Sequence, residues 1–218
     1  MKDFSRRKLL KLSVLGGLGS IGIKNGFARV MALMPTPSET EGPFYPVATQ
    51  SDKDADLTHI RGKKRKAMGQ HIVVQGQIRE VNGKPIAHAL LDVWQADANG
   101  RYRHPSDSSS AKLDENFQGW AVINSDQTGF FRFVTVMPGA YPANKDWIRP
   151  PHIHFKISKA GLRPLTTQMY FPDQALNQSD WLLRNKSTAE QLAMVARHAG
   201  LEGNLPIYEY NIVLDLLD

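Results

Sequence analysis

The feature that most constrains the fold is a series of short segments in which apolar and polar residues alternate. HIVVQGQIREV covers residues 71–81, and the turn NGK leads from it into PIAHALLDVWQAD at 85–97. Alternation with a period of two is typical of strands with one buried face, and Asn-Gly between two such segments predicts a hairpin. The chain is therefore expected to be built mainly of β-strands.

Further segments of the same kind follow along the chain. GWAVIN continues through SDQTG into FFRFVTVMP (130–138), and strands are also predicted at 152–158, 165–171 and 207–217. One helix is predicted over residues 188–199, with Thr188 as its cap and Gly200 after its end. About seven strands at these spacings predict an all-β fold, an antiparallel β-sandwich with long loops and one short helix in the C-terminal half.

Residues 1–32 are predicted to be an export signal, separate from the domain at 33–218. The segment SRRKLLKLSVLGGLGSIG places Arg6 and Arg7 before an apolar run that is too short and too rich in glycine to span a bilayer. This arrangement resembles a twin-arginine signal, and a chance Arg pair on an ordinary secretory signal is the alternative. The mature protein is then expected to be periplasmic or extracellular, with no membrane span.

The charge of the chain lies in the same segment. Residues 1–32 carry seven Lys or Arg against one Asp, and the whole chain has a net charge of +6. The domain at 33–218 is therefore close to neutral, and no nucleic-acid partner is expected; its basic run RGKKRK (61–66) is interpreted as a solvated loop. The chain has no cysteine, which excludes thiolate ligands, Fe–S clusters and disulfides.

A His-x-His pair in WIRPPHIHFKI is the first candidate for chemistry. His152 and His154 should project from one face of a strand, since residues two apart share a face. Arg149 and two prolines precede them. The alternatives are a metal-binding pair and two polar residues on an exposed sheet face.

A metal at this pair needs further ligands. No cysteine exists, and no carboxylate lies within a few residues of the pair to complete a facial triad. Tyrosine remains as a hard, anionic ligand, and Tyr102 (in NGRYRH) and Tyr141 (in PGAYPAN) each follow a turn that contains glycine. Each alone could equally be a half-buried loop aromatic.

Taken together, these motifs resemble the intradiol ring-cleavage dioxygenases, nearest to the catalytic chain of the protocatechuate 3,4-dioxygenase group. The matching text is LDVWQADANGRYRH, LDENFQGW, SDQTGFFRFVTVMPGAYP, DWIRPPHIHFKIS, TTQMYFPDQ and YEYNIVLDL. It extends over roughly residues 38–217. The chain shows neither the N-terminal extension of that catalytic chain nor the helical domain of catechol 1,2-dioxygenases, so the resemblance leaves the ring substituents open.

The resemblance implies a non-haem Fe(III) centre with Tyr102, Tyr141, His152 and His154 as ligands. It implies that a catechol and O2 are the substrates, and that the product is a cis,cis-muconate-type diacid. Tyr141 would also accept a substrate proton, and Arg149 would stabilise negative charge on the substrate.

Two weaker assignments concern the substrate. Gln168 matches a polar residue near the site, although a strand residue that only bonds backbone is an equal alternative. Tyr45, or its neighbour Phe44, could line the pocket.

Two other functions were weighed against this enzyme. One is an exported, non-catalytic β-sandwich that binds carbohydrate or aromatic ligands through Trp94, Trp120, Trp147 and Trp181. In that case the four proposed metal ligands need not meet in space. The other is an Fe(II) oxygenase, which two tyrosinates disfavour. A homo-oligomer and a second homologous chain both stay open.

Overall fold

The computed structural model describes residues 32–48, 50 and 52–217. All but one residue of the predicted export signal (1–32) lie outside the described residues, so the signal remains a prediction. Within the described part, no helix is both long and apolar enough to cross a membrane.

Strands dominate the described part of the chain, as the alternation predicts. They are β1 (His71–Glu80), β2 (Leu90–Trp94), β3 (Trp120–Asn124), β4 (Phe130–Val136), β5 (Tyr141–Asn144), β6 (Trp147–Arg149), β7 (His152–Ser158), β8 (Leu165–Tyr170), β9 (Arg197–Glu202), β10 (Leu205–Glu209) and β11 (Ile212–Leu214). The helix α1 spans Thr188–Met194, and two short 3-10 turns precede it at Ala175–Gln178 and Leu183–Asn185. The all-β class is confirmed.

The first sheet is organised around β1. One edge of β1 pairs antiparallel with β4, and the other pairs with β10 and then with β11, both in parallel. Gly76 lies where the partner changes, and a Cβ there would overlap the carbonyl oxygen of Tyr210. Glycine permits this close approach of two backbones. The two parallel pairs are an exception within the predicted antiparallel architecture.

The second sheet has the order β3-β2-β7-β8 and is antiparallel throughout. It packs face to face on the first sheet, with the rings of Phe133 and Phe155 6.0 Å apart between their centroids. Ile153, Phe155 and Ile157 of β7 are fully buried in this core. Because side chains alternate along a strand, His152 and His154 leave β7 on the opposite face.

The predicted hairpin at NGK and the strand–turn–strand segment through SDQTG are instead connections between the sheets. After the NGK turn a short stem forms, in which the Ile86 amide donates to the Ile78 carbonyl at 2.9 Å, and the chain then crosses to β2 in the second sheet. β3 and β4, joined by SDQTG, also lie in different sheets. A strand with one buried face covers the core from either layer, so alternation does not specify which layer it joins.

The predicted helix over 188–199 is wrong in its cap and in its length. Ser187, rather than Thr188, caps α1: its side chain accepts from the Glu190 amide, and the Glu190 carboxylate accepts from the Ser187 amide at 2.8 Å. The helix ends at Met194.

Pairing with the second sheet ends the helix early. The Ala196 amide donates to the Tyr170 carbonyl at 2.9 Å, and Val195 forms a bridge with Tyr170. The chain then continues as the fully exposed strand β9. Sheet pairing thus overrides the helical propensity of residues 195–199.

Candidate metal centre

The two histidines of β7 lie on the face of the second sheet that points away from the main core, and both are buried. His152 Nδ1 lies 2.7 Å from the Pro150 carbonyl oxygen, so the ring proton is placed on Nδ1 and Nε2 keeps its lone pair. Opposite His154 on β2 stands Trp94, which stacks on the imidazole at 4.8 Å between centroids and 12° between planes. The prolines before β7 and the neighbouring strand therefore fix both rings.

Two loops that contact each other through glycine carry the tyrosines. A Cβ at Gly100 would overlap the Ala140 carbonyl oxygen, and one at Gly139 would overlap the Gly100 amide nitrogen. The Gly139 amide also donates to the Asp97 carbonyl at 2.9 Å. Gly100, with φ of +76°, and Gly139 thus bring the chain segments before Tyr102 and Tyr141 into direct contact.

Three donor atoms from separate parts of the chain meet at one point. The Nε2 atoms of His152 and His154 are 3.2 Å apart, and the Tyr102 hydroxyl lies 3.5 Å from the first and 3.2 Å from the second. Tyr141 approaches the same point, with its ring edge-on to that of Tyr102 at 5.4 Å between centroids. The structure therefore brings together all four residues that the sequence suggested as ligands.

The spacing of these donor atoms fits a bound metal ion. Ligand atoms about 2.1 Å from a common centre are about 3.0–3.4 Å apart at angles of 90–109°, which is close to the spacing of the three donors. His152 Nε2 also presents a lone pair to the other donors, an arrangement that a cation stabilises. Among the described residues no group of three or more His, Asp or Glu side chains could hold a metal, so a metal here depends on tyrosine oxygens.

Burial keeps all four groups uncharged in the protein alone. It raises the pKa of Tyr102 well above its ordinary value, with the neighbouring Tyr141 adding to this, and it also raises the pKa of Tyr141. It lowers the pKa of His152 well below its ordinary value and that of His154 to about 3, in both cases with help from the Arg149 charge. The imidazoles are therefore neutral at pH 7, the form in which a histidine can bind a metal, and the phenols would need a strong Lewis acid to lose their protons.

Arg149 is buried next to this centre and is held by an ion pair. Its Nε donates to Asp180 Oδ2 at 2.8 Å, and its Nη2 donates to Gln168 Oε1 at 2.6 Å and to the Tyr170 hydroxyl at 3.0 Å. Arg149 faces Tyr141 across the pairing of β5 with β6. Sequence reasoning missed Asp180 and Tyr170: Asp180 follows Arg149 by 31 residues, in a loop with no periodic signal.

The two predicted substrate residues lie in different surroundings. Gln168 uses both ends of its amide inside the protein, accepting from Arg149 and donating to the Thr40 carbonyl at 2.9 Å. Tyr45 donates to Asp92 at 3.4 Å and packs edge-on to Trp94. The adjacent Phe44, rather than Tyr45, lines an open cleft beside the four proposed ligands. The Phe44 ring also stacks on that of Tyr102, with 4.5 Å between the ring centroids.

An open cleft of about 670 Å³ lies against the centre. Tyr141 and Arg149 line this cleft, whereas Tyr102 lines a separate small cavity, and Phe44 lines both. The remaining wall comes from the loop residues 106–109, from residues 142–144 of β5 and from residues 40 and 42–44, together with Trp147 and Leu182. A cleft of this size is within the range of small-molecule sites.

The four tryptophans do not form one binding platform. Trp94 is buried against His154, and Trp120 donates its indole N–H to Asp92 at 2.7 Å. Trp147 and Trp181 stack on each other at 5.0 Å beside the cleft. The basic run at 61–66 is an exposed loop, as predicted.

Comparison with known proteins gives a family match over most of the chain. A family model described as "Dioxygenase" matches residues 40–216. The chain is 37% identical to the protocatechuate 3,4-dioxygenase beta chain of Burkholderia cepacia, covering 88% of this chain and 85% of that protein. It is 34% identical to catechol 1,2-dioxygenase 2 of Acinetobacter lwoffii, covering 62% of this chain and 50% of that protein.

A solved structure gives the same family by fold. The dioxygenase domain of a dioxygenase carbohydrate-binding protein fusion from Streptomyces sp. SirexAA-E superposes with a TM-score of 0.63 at 27% identity. The match covers 84% of this chain and all of that domain.

Proposed function

The chain belongs to the intradiol ring-cleavage dioxygenase family, and from this premise we propose that it uses Fe(III) to cleave a catechol between its two hydroxyl-bearing carbons. Both atoms of O2 enter the product, a cis,cis-muconate-type diacid. The observation that carries the proposal is the meeting of two imidazole nitrogens and a tyrosine oxygen within 3.5 Å, with Tyr141 beside them. In this proposal Tyr102, Tyr141, His152 and His154 hold the iron.

The chemistry of the donor set supports a ferric ion in particular. Two phenolates and two neutral imidazoles would leave a trivalent ion with one positive charge in a buried site. If Tyr141 takes up a proton, the Tyr102 phenolate and a catechol dianion would together balance the three charges of the ion. Bound Fe(III) would supply the Lewis acidity that makes catechol acidic and open to attack by O2. Two tyrosinates disfavour Fe(II), which weakens the proposal of an Fe(II) oxygenase.

The two tyrosines have different roles in this proposal because of where they lie. Tyr141 lines the cleft, so its oxygen can take a proton from an incoming catechol. Tyr102 is fully buried and stacked under Phe44, so it serves as a fixed ligand.

Arg149 is the proposed electrostatic residue. Arg149 lines the cleft and is paired with Tyr141 across β5 and β6, so its charge would stabilise the negative charge that develops on the ring as the substrate is attacked. Gln168 and Tyr170 hold the guanidinium, so we assign Gln168 a positioning role through Arg149 in place of direct substrate contact.

The non-catalytic binding module is not favoured. That function leaves the four side chains free to lie apart, and it needs an aromatic platform. Two of the four tryptophans are instead used in packing or hydrogen bonding around the second sheet.

The test is oxygen incorporation by the iron-loaded domain at 33–218. With catechol and 18O2, the expected product is the intradiol diacid carrying two 18O atoms by mass spectrometry. A ring-opened product cleaved beside the diol would contradict the site chemistry. Failure to consume O2 with every catechol supplied would favour the binding module.

Export of the protein is a further part of the proposal. The Arg6–Arg7 pair supports transport by the twin-arginine route, and replacing both by Lys should keep a fused reporter in the cytoplasm. Transport that is unaffected by this change would favour an ordinary secretory signal.

The assembly of the protein is a separate part of the proposal. The similar Burkholderia protein is named as a beta chain, which supports either self-association or pairing with a second homologous chain. Sedimentation of the purified protein tests self-association.

A further inference from the structure

The wall of the cleft has a composition that bears on the choice of substrate. Five of its lining residues have neutral polar side chains: Thr40, Ser106, Ser108, Ser109 and Asn144. Phe44, Trp147 and Leu182 supply the apolar part. Hydroxyl and amide groups both donate and accept hydrogen bonds, so this wall suits hydroxyl or ether oxygens.

The charged residues that line the cleft are already paired within the protein. Among the described lining residues these are Arg149 and Asp107. Arg149 is held by Asp180 at 2.8 Å, and Asp107 lies 3.5 Å from Arg101. Asp107 is buried, and its carboxylate also accepts from the Tyr102 amide at 2.7 Å.

Lys145 follows the lining residue Asn144 in sequence, but it does not add a positive charge to the lining of the cleft. Its side chain is 89% exposed, and its ammonium lies 3.7 Å from the Asp146 carboxylate. A substrate carboxylate in the cleft would therefore meet the buried carboxylate of Asp107 and the guanidinium of Arg149, which already has partners. Such a charge loses hydration without gaining a partner.

The size of the cleft also exceeds what a single ring needs. A cavity of about 150 Å³ holds a benzene-sized molecule, whereas this cleft measures about 670 Å³. The paired rings of Trp147 and Trp181 offer an apolar surface next to the remaining space. A substituent on the ring of a substrate bound beside Tyr141 can therefore extend towards the serines at 106, 108 and 109.

We infer that the enzyme selects catechols whose ring substituent is uncharged and bears hydroxyl or ether oxygens, and that it discriminates against carboxylated catechols. The serine segment at 106–109 determines this specificity. This inference rests on the proposed function, because it concerns the substrate of that same site.

The test compares two substrates of similar size on the iron-loaded protein. In both 4-(2-hydroxyethyl)catechol and 3,4-dihydroxyphenylacetate a CH2 group is bonded to the ring and the polar group lies beyond it, so ring electronics differ little. The neutral compound should have a kcat/KM about tenfold or more above that of the acid, since the unpaired carboxylate loses hydration in the cleft. 4-Methylcatechol should fall between them, because it lacks both the charge and the hydroxyl.

A substitution in the wall makes the test specific. Ser108 is exposed and lines the cleft, so Ser108→Arg adds a cation without displacing a buried group. It should raise kcat/KM for the acid relative to the neutral compound by about threefold or more, the size expected of one partly exposed ion pair. Ser110→Arg is the matched control, since Ser110 is exposed in the same loop but does not line the cleft, and it should leave the ratio unchanged.

Equilibrium binding gives a second readout that does not depend on turnover. Quenching of tryptophan fluorescence in the metal-free protein should show the same order of affinity for the two compounds. If catechols are cleaved but the acid is preferred, or if both arginine variants behave alike, the inference is overturned and the proposed function stands. If no catechol is cleaved under any condition, the proposed function itself fails, and the inference fails with it.

Discussion

Asp180→Asn tests whether the ion pair at Arg149 is buried and tightly held. Asp180 Oδ2 accepts from Arg149 Nε at 2.8 Å, and Oδ1 accepts from the Leu182 and Leu183 amides at 3.1 and 2.9 Å. An asparagine that keeps its oxygen towards the two amides turns its NH2 group towards Arg149 Nε, so one donor faces another. The side chains are only 5% and 0% exposed, so the guanidinium would become an unpaired buried charge.

The expected loss of stability follows from this burial. Removing one partner of a buried pair costs roughly 3–5 kcal/mol in the free energy of unfolding. For a domain of 150–250 residues, each kcal/mol lowers Tm by about 2–4 °C, so a decrease of roughly 6–20 °C is expected. Thermal and urea unfolding followed by circular dichroism at pH 7 measure both quantities.

Glu202→Gln is the matched control for this variant. It removes one carboxylate from the Arg132–Glu202 pair, whose N–O distance is 2.6 Å but whose side chains are 34% and 58% exposed. Screening by solvent limits the loss there to below about 1 kcal/mol. If Asp180→Asn were no more destabilising than this control, the reasoning about the buried Arg149 charge would be refuted.

Two further predictions concern the metal ligands. The pKa of His154 is lowered from about 6.5 in the unfolded chain to about 3 in the folded protein, so the unfolded chain binds more protons between these pH values. The free energy of unfolding of the metal-free protein should therefore decrease by about 1.4 kcal/mol per pH unit from this residue as the pH falls below 6. Urea unfolding of His154→Gln should show a shallower dependence on pH. Gly100→Ala should abolish iron binding, because its Cβ would separate the two chain segments that carry Tyr102 and Tyr141. Gly83→Ala is the control: Gly83 has a similar positive φ but open space around it, so this variant should lose only about 1 kcal/mol in the free energy of unfolding and keep the iron. Metal analysis of the purified variants measures the iron content.

Residues whose signal is local were predicted well. The His-x-His pair falls on a strand whose intervening residues fill the core, and the strand occupies the predicted residues 152–158. The turns that carry Tyr102 and Tyr141 both contain glycine, and these glycines prove to be the contact between the two loops. Short-range alternation and turn chemistry were sufficient for these features.

Features that depend on which layers pack together could not be predicted in the same way. The expected hairpin at NGK and the two strands joined by SDQTG cross between sheets. The expected helix gives way to a strand because the Tyr170 carbonyl accepts from the Ala196 amide. Asp180 comes close to Arg149 only through a loop that follows β8. Such contacts join residues far apart in sequence and leave no period or motif, so they require coordinates.

The visible absorption spectrum of the domain on addition of Fe(III) tests the central claim most directly. We expect a strong tyrosinate-to-iron band with a red-brown colour, a shift of that band when catechol is added without oxygen, and loss of intensity in Tyr102→Phe and Tyr141→Phe. A folded protein that stays colourless with iron supplied, or a colour that both variants retain in full, would show that these tyrosines do not hold the metal.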